Sequence, residues 1–204
     1  MAARELTEKE KKRQALVEKT IQAKEADGYK RVDLTTSKKK ANTMALVYGG
    51  IICVPAMIIH SIVYGYHYES LGMIAAIVVM LVLVVVHELI HGAVWGLFAK
   101  DHYKSIEFGI IAKALMPYCT CLEPITKVQY MLGSMMPGVL LGIIPLIISF
   151  INGSTTLMLI GSALTLAAGG DMTVLVDLLK HKSDKKEMLC VDHPTEVGLI
   201  VLEK

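Results

Sequence analysis

Two histidines four residues apart with a glutamate beside the first, His87-Glu88-Leu89-Ile90-His91, are the residues of this chain best suited to chemistry. On a helix, positions i and i+4 share a face, so both imidazoles reach one metal ion. Glu88, one step round from His87, can hold a metal-bound water without being a ligand itself. A zinc ion with three protein ligands and an open fourth position lowers the pKa of its water towards neutrality, and the carboxylate then takes the proton and passes it to a leaving amine. The reaction this predicts is hydrolysis of a peptide bond, with Glu88 as general base and His87 and His91 as metal ligands.

The motif lies at the end of a long apolar run. The chain has 204 residues, 53% of them hydrophobic, and a mean hydropathy of +0.51, which a soluble globular domain rarely reaches. The apolar residues come in long blocks. Ala41 to Tyr68, Ser70 to His87 and Val128 to Gly170 carry no Asp, Glu, Lys or Arg. About 20 apolar residues cross a hydrocarbon core as a helix, so the first two blocks predict one span each and the third predicts two, divided at Asn152-Gly153-Ser154. The expected spans are 43–64, 71–98, 131–151 and 155–179. Two imidazoles and a carboxylate within such a helix are costly unless they bind something.

This composition excludes a nucleic-acid-binding globule and a secreted disulfide scaffold. Residues 1–40 hold 12 Lys/Arg against 7 Asp/Glu and predict a basic, partly helical tail, with a helix over Glu5 to Asp27. Residues 41–180 form the membrane-embedded unit and 181–204 a C-terminal segment. No cleaved signal peptide is expected, because 40 polar residues precede the first apolar run. Lysines flank the spans at Lys38 to Lys40, Lys100, Lys104, Lys113, Lys127, Lys180, Lys182, Lys185 and Lys186, whereas the connections 65–70 and 152–154 have none. Positive charge stays on the cytoplasmic side, so the expectation is a multi-pass protein of the cell membrane with both termini in the cytoplasm. In that reducing compartment Cys53, Cys119, Cys121 and Cys190 read as ordinary thiols. His60 and His67 read as interfacial or solvated residues, and Pro137 and Pro145 as sites of kinks or packing adjustment in the third span.

A third zinc ligand can be sought by depth. In this topology the second and fourth spans run the same way, so positions are comparable when counted from their outer ends. His87 and His91 come 16 and 20 residues after Leu71, and Asp171 comes 16 after Thr155. Asp171 is therefore the expected third ligand, preceded by Gly169 and Gly170, whose small size lets helices approach closely. A tilt of either helix would bring Asp177 to the ion instead, and Glu107 and Glu123 are further carboxylates that could complete the site.

His87 to Gly92 within a membrane helix, followed by a short connection, two more spans and Gly169-Gly170-Asp171, resembles the site-2 proteases, and the compact layout is closest to their small bacterial zincin-peptidase relatives. The resemblance covers roughly residues 43–179. It implies an all-α polytopic membrane protein of about four transmembrane helices, acting as a zinc metalloprotease on a peptide or a membrane-anchored protein. Asp171 is followed by Met172, a departure from the longer Asp-Gly motif of the better-known members. Between the second and third spans, Ile106, Phe108 and Ile110 alternate with Glu107 and Gly109, which predicts a β-hairpin-like insert. In the family such a segment presents a strand edge to the substrate; a hairpin that merely caps the bundle has the same pattern. The rival reading of the whole chain is a non-catalytic, metal-binding membrane protein serving as scaffold or transport component. Oligomeric state is not legible.

Overall fold

The computed structural model describes residues 7–65, 70–111 and 116–204; the expectations for His67 and Lys113 fall outside them. Helix α1 spans Glu8–Ala26. It starts at Thr7, whose hydroxyl accepts from the Glu10 amide while the Glu10 carboxylate accepts from the Thr7 amide, a reciprocal cap that satisfies two amides otherwise left free at a helix start. Strand β1 follows at Lys30–Thr36.

Helices α2 (Lys38–Tyr64) and α3 (Ser70–Phe98) come next. A hairpin of β2 (Ile106–Ile111) and β3 (Met116–Cys121) and a short strand β4 (Ile125–Thr126) lead into α4 (Lys127–Pro137). A π-helical segment, Gly138–Ile143, joins α4 to α5 (Ile144–Asn152), so Pro137 and Pro145 bracket a locally widened turn rather than a break. Helices α6 (Thr155–Ala167) and α7 (Gly169–Lys180) and strands β5 (Met188–Asp192) and β6 (Val197–Glu203) complete the chain.

Among the described residues, three helical stretches are long and apolar enough to cross a membrane: Lys38–Tyr64, Ile77–Phe98 and Lys127–Asn152. The fourth expected span is bent by 45° between α6 and α7. The bend is where the chain meets α2: a side chain at Gly169 would collide with the Ala45 backbone, and one at Gly49 with Leu166. Gly169 thus brings α7 against α2, while a side chain at Gly170 would meet open space.

The all-α expectation needs correction at both ends of the chain. Tail and C-terminal segment join in one antiparallel sheet of order β1-β6-β5-β4, with β1 paired to β6 from Lys30↔Glu203 to Thr36↔Val197. Both faces of β6 are covered. Leu199 and Val201 pack with Trp95, Tyr130 and Leu178 at the end of the helical bundle, and Ile200 and Leu202 pack with Val17 and Ile21 of α1. At about 1.5–3 kcal/mol for each fully buried aliphatic side chain, Val17 and Ile21 hold α1 on the sheet although 10 of its 19 residues are charged.

His60 is also corrected. It is fully buried, its Nε2 donates to the Ser149 carbonyl at 3.3 Å, and its ring packs between Tyr64 and Phe150. Helix α2 reaches α5 here, and the aromatic contacts enclose an imidazole that the sequence leaves looking solvent-facing.

Candidate metal site

Helix α3 carries His87 and His91 one turn apart on the side that faces α4 and α7. Their relative exposures are 7% and 3%. Asp171, in the first turn of α7, meets both. Its Oδ2 lies 3.2 Å from His87 Nε2 and 3.4 Å from His91 Nε2, and the two Nε2 atoms are 3.1 Å apart. Three ligand-type atoms therefore close a triangle. Zinc–ligand bonds of about 2.0–2.1 Å in a tetrahedron place neighbouring ligand atoms about 3.3 Å apart, so all three edges suit one zinc ion with a fourth position left over. Among the described residues this is the one group of three such side chains able to hold a metal. Asp177 and the other two carboxylates considered lie outside it.

What surrounds the triangle orients it. His91 Nδ1 donates to the Gly133 carbonyl at 2.9 Å, which leaves Nε2 with its lone pair facing the site, a common way of fixing a ligand's tautomer. The His91 ring stacks on Trp95 with centroids 5.0 Å apart, Trp95 stacks on Tyr130 at 5.5 Å, and the indole N–H donates to the Tyr130 carbonyl. His87 Nδ1 is buried without a partner among the described residues, so that side of the ring is held by packing and the other by Asp171. Gly133 is where α4 admits Trp95, since a side chain there would overlap the indole. Gly133→Ala is expected to push Trp95 off His91, costing about 1–3 kcal/mol of stability, the usual range for overpacking, and to weaken zinc binding. Thermal unfolding and a zinc titration of the purified variant measure the two effects.

Glu88 stands one step round the helix. Its carboxylate is within electrostatic reach of His87, His91, Asp171 and the Cys119 backbone amide. Strand β3 therefore lies over the site. In the hairpin Ile106 faces Cys121 and Phe108 faces Cys119, and the Leu122 amide donates to the Ser105 carbonyl. In an antiparallel ladder this phase turns the backbone groups of 117, 119 and 121 away from β2, towards the bundle. The opposite edge of the hairpin is taken up by α1: Lys9 Nζ donates to the Phe108 carbonyl at 2.9 Å, and Arg13 pairs with Glu107 at 3.2 Å.

These contacts account for the remaining carboxylates. Glu107 also accepts from the Tyr118 hydroxyl, and Glu123 accepts from the Asp101 amide, so both are engaged outside the metal cluster. Cys119, Cys121 and Cys190 are free thiols. Burial pushes Cys119 well above its ordinary range and Cys121 and Cys190 up to about 12, which keeps them protonated. Sequence reasoning missed the Tyr130, Gly133 and Trp95 support, because nothing in an apolar helix distinguishes a carbonyl that faces a ligand from one that does not.

Beside Asp171 a narrow cleft of about 70 Å³ opens between α2, α4 and α7, lined by Tyr48, Ile52, Met135, Val139 and Leu175 among others. Its walls are almost wholly apolar.

No curated protein and no protein of solved structure matches the chain. A family model does, over residues 80–185, a stretch that takes in the later part of α3 with its HExxH motif, the hairpin, and Asp171 on α7. With more than half of its length matched, the chain belongs to the family described as "Putative zincin peptidase".

Proposed function

We propose that the protein is a zinc-dependent endopeptidase embedded in a membrane, cutting a peptide or a membrane-anchored segment near the cytoplasmic face. The observation that carries this reading is the closed triangle of His87, His91 and Asp171 beside a carboxylate, Glu88, that forms none of its edges. Zinc, when bound there, supplies Lewis acidity and a lowered pKa for water. The chain's own groups do the rest. His87, His91 and Asp171 hold the ion, and the Glu88 carboxylate takes the proton of the attacking water and returns it to the leaving amine nitrogen. The 117 and 119 carbonyls on the β3 edge can accept from the amides of an extended peptide, the conformation a protease needs around the scissile bond.

Sidedness is supported by the lysines. Lys38 at the start of α2, Lys100 after α3, Lys127 at the start of α4 and Lys180 at the end of α7 mark one end of the bundle. Positive charge there is retained in the cytoplasm, and the sheet built from both termini would then lie on that side. Membrane vesicles of the two orientations test this. A soluble quenched-fluorescent peptide should be cut when added to inside-out vesicles and spared by right-side-out ones. Cleavage confined to right-side-out vesicles would reverse the assigned topology.

A further inference from the structure

The family match ends at residue 185, yet a carboxylate beyond it reaches both walls of the site. Asp192, the last residue of β5, accepts from the Tyr130 hydroxyl at 2.6 Å through Oδ1 and from the Cys121 amide at 2.9 Å through Oδ2. The Thr120 side chain lies within electrostatic reach of it. Burial pushes the Asp192 carboxyl up, and these three groups oppose that shift. A half-buried carboxylate with donors on both oxygens is a strong and directional tie between the elements that supply them.

Each oxygen leads to a different part of the site. From Oδ1 the path runs to Tyr130, which is 2% exposed and whose own carbonyl receives the indole N–H of Trp95, 4% exposed and stacked on His91. Tyr130 and Gly133 are three residues apart on α4, hence on one face. The tyrosine hydroxyl therefore sets the rotation of α4 that aims the Gly133 carbonyl at His91 Nδ1. From Oδ2 the path runs to Cys121, two residues from Cys119, whose amide meets Glu88. With Tyr130, Trp95, His91 and Cys121 all buried, a shift of β5 would be passed on rather than absorbed.

We propose that Asp192 is a positioning residue of this site, holding the wall behind His91 through one oxygen and the β3 edge through the other. The inference rests on the zinc-peptidase reading. It gives the terminal sheet a role in activity: the sheet carries the carboxylate that sets the metal ligand and the strand over it.

The two oxygens predict separable effects, measured on the full-length protein in detergent. Tyr130→Phe removes the first tie without changing volume, and should weaken zinc binding roughly three- to tenfold, short of the roughly 10–100-fold that loss of a direct partner of a metal-bound histidine costs. Its KM for a peptide should stay near that of the parent. Asp192→Ala removes both ties and should weaken zinc binding by a similar factor while raising KM. Asp192→Asn, which keeps an oxygen able to accept from Cys121, should restore KM. Val191→Ala, on β5 but packed towards α1, serves as control: it should lower the unfolding temperature and leave zinc affinity and KM unchanged. Parent-like zinc affinity in Tyr130→Phe overturns the proposal, and does so even if Asp192→Ala does not fold. A loss of zinc affinity in Val191→Ala equal to that in Tyr130→Phe overturns it too, since general loosening of the sheet would then suffice. Failure of the underlying reading is distinguishable, because His87→Ala would then bind zinc as the parent does.

Discussion

Glu88→Gln should keep its zinc and lose peptide hydrolysis by on the order of 10²–10⁴-fold, the contribution of a positioned general base. The amide is nearly isosteric with the carboxylate and leaves the triangle of His87, His91 and Asp171 untouched, since Glu88 supplies none of its ligand atoms. It cannot accept a proton from water, so the loss should fall on kcat. Zinc content by elemental analysis and steady-state hydrolysis, on the same preparation, check both halves. A variant that cleaves as fast as the parent would remove Glu88 from the mechanism. A parent protein that binds zinc and hydrolyses nothing would favour the scaffold reading.

Asp171→Ala should weaken zinc binding by more than the roughly 10–100-fold typical of losing an outer hydrogen-bonding partner, because it removes one of the three ligand atoms. Asp177→Ala, Glu107→Ala and Glu123→Ala should leave affinity close to that of the parent. Glu107 and Glu123 are engaged with Arg13, Tyr118 and the Asp101 amide, and Asp177 lies outside the cluster. Competitive titration against a zinc-binding dye ranks all four. Parent-like affinity in Asp171→Ala, with loss in another of the set, would move the third ligand elsewhere.

The parts of this molecule that are legible in its sequence are those that depend on local spacing or on length. His87, Glu88 and His91 share a helical turn, so their joint geometry follows from the motif. Asp171 is 84 positions from His87, but counting along two apolar segments expected to run the same way lands on the carboxylate that lies beside both histidines. The hairpin is visible because Ile106, Phe108 and Ile110 alternate with smaller or polar neighbours.

Non-local pairing is what stays hidden. Strand β1 finds β6 across nearly the whole chain, and β6 is buried on both faces, so it reads as a continuous apolar run without the alternation that marks a strand with one wet face. Asp192 looks like one more charge in a polar tail until Tyr130 and Cys121 are seen to point at it. The bend before α7 was hidden for a related reason: Gly169 reads as a small residue suited to any close contact, and only the fold reveals that its partner is Ala45 of α2.

Peptide hydrolysis by this protein should require one zinc ion held by His87, His91 and Asp171. The most direct measurement is a zinc titration of chelator-stripped protein with peptide cleavage followed at each addition. Hydrolysis should be absent in the stripped protein, return in proportion to added zinc and saturate at one ion per chain, with no recovery in His87→Ala. Cleavage that survives stripping, or that returns equally in His87→Ala, would contradict the account.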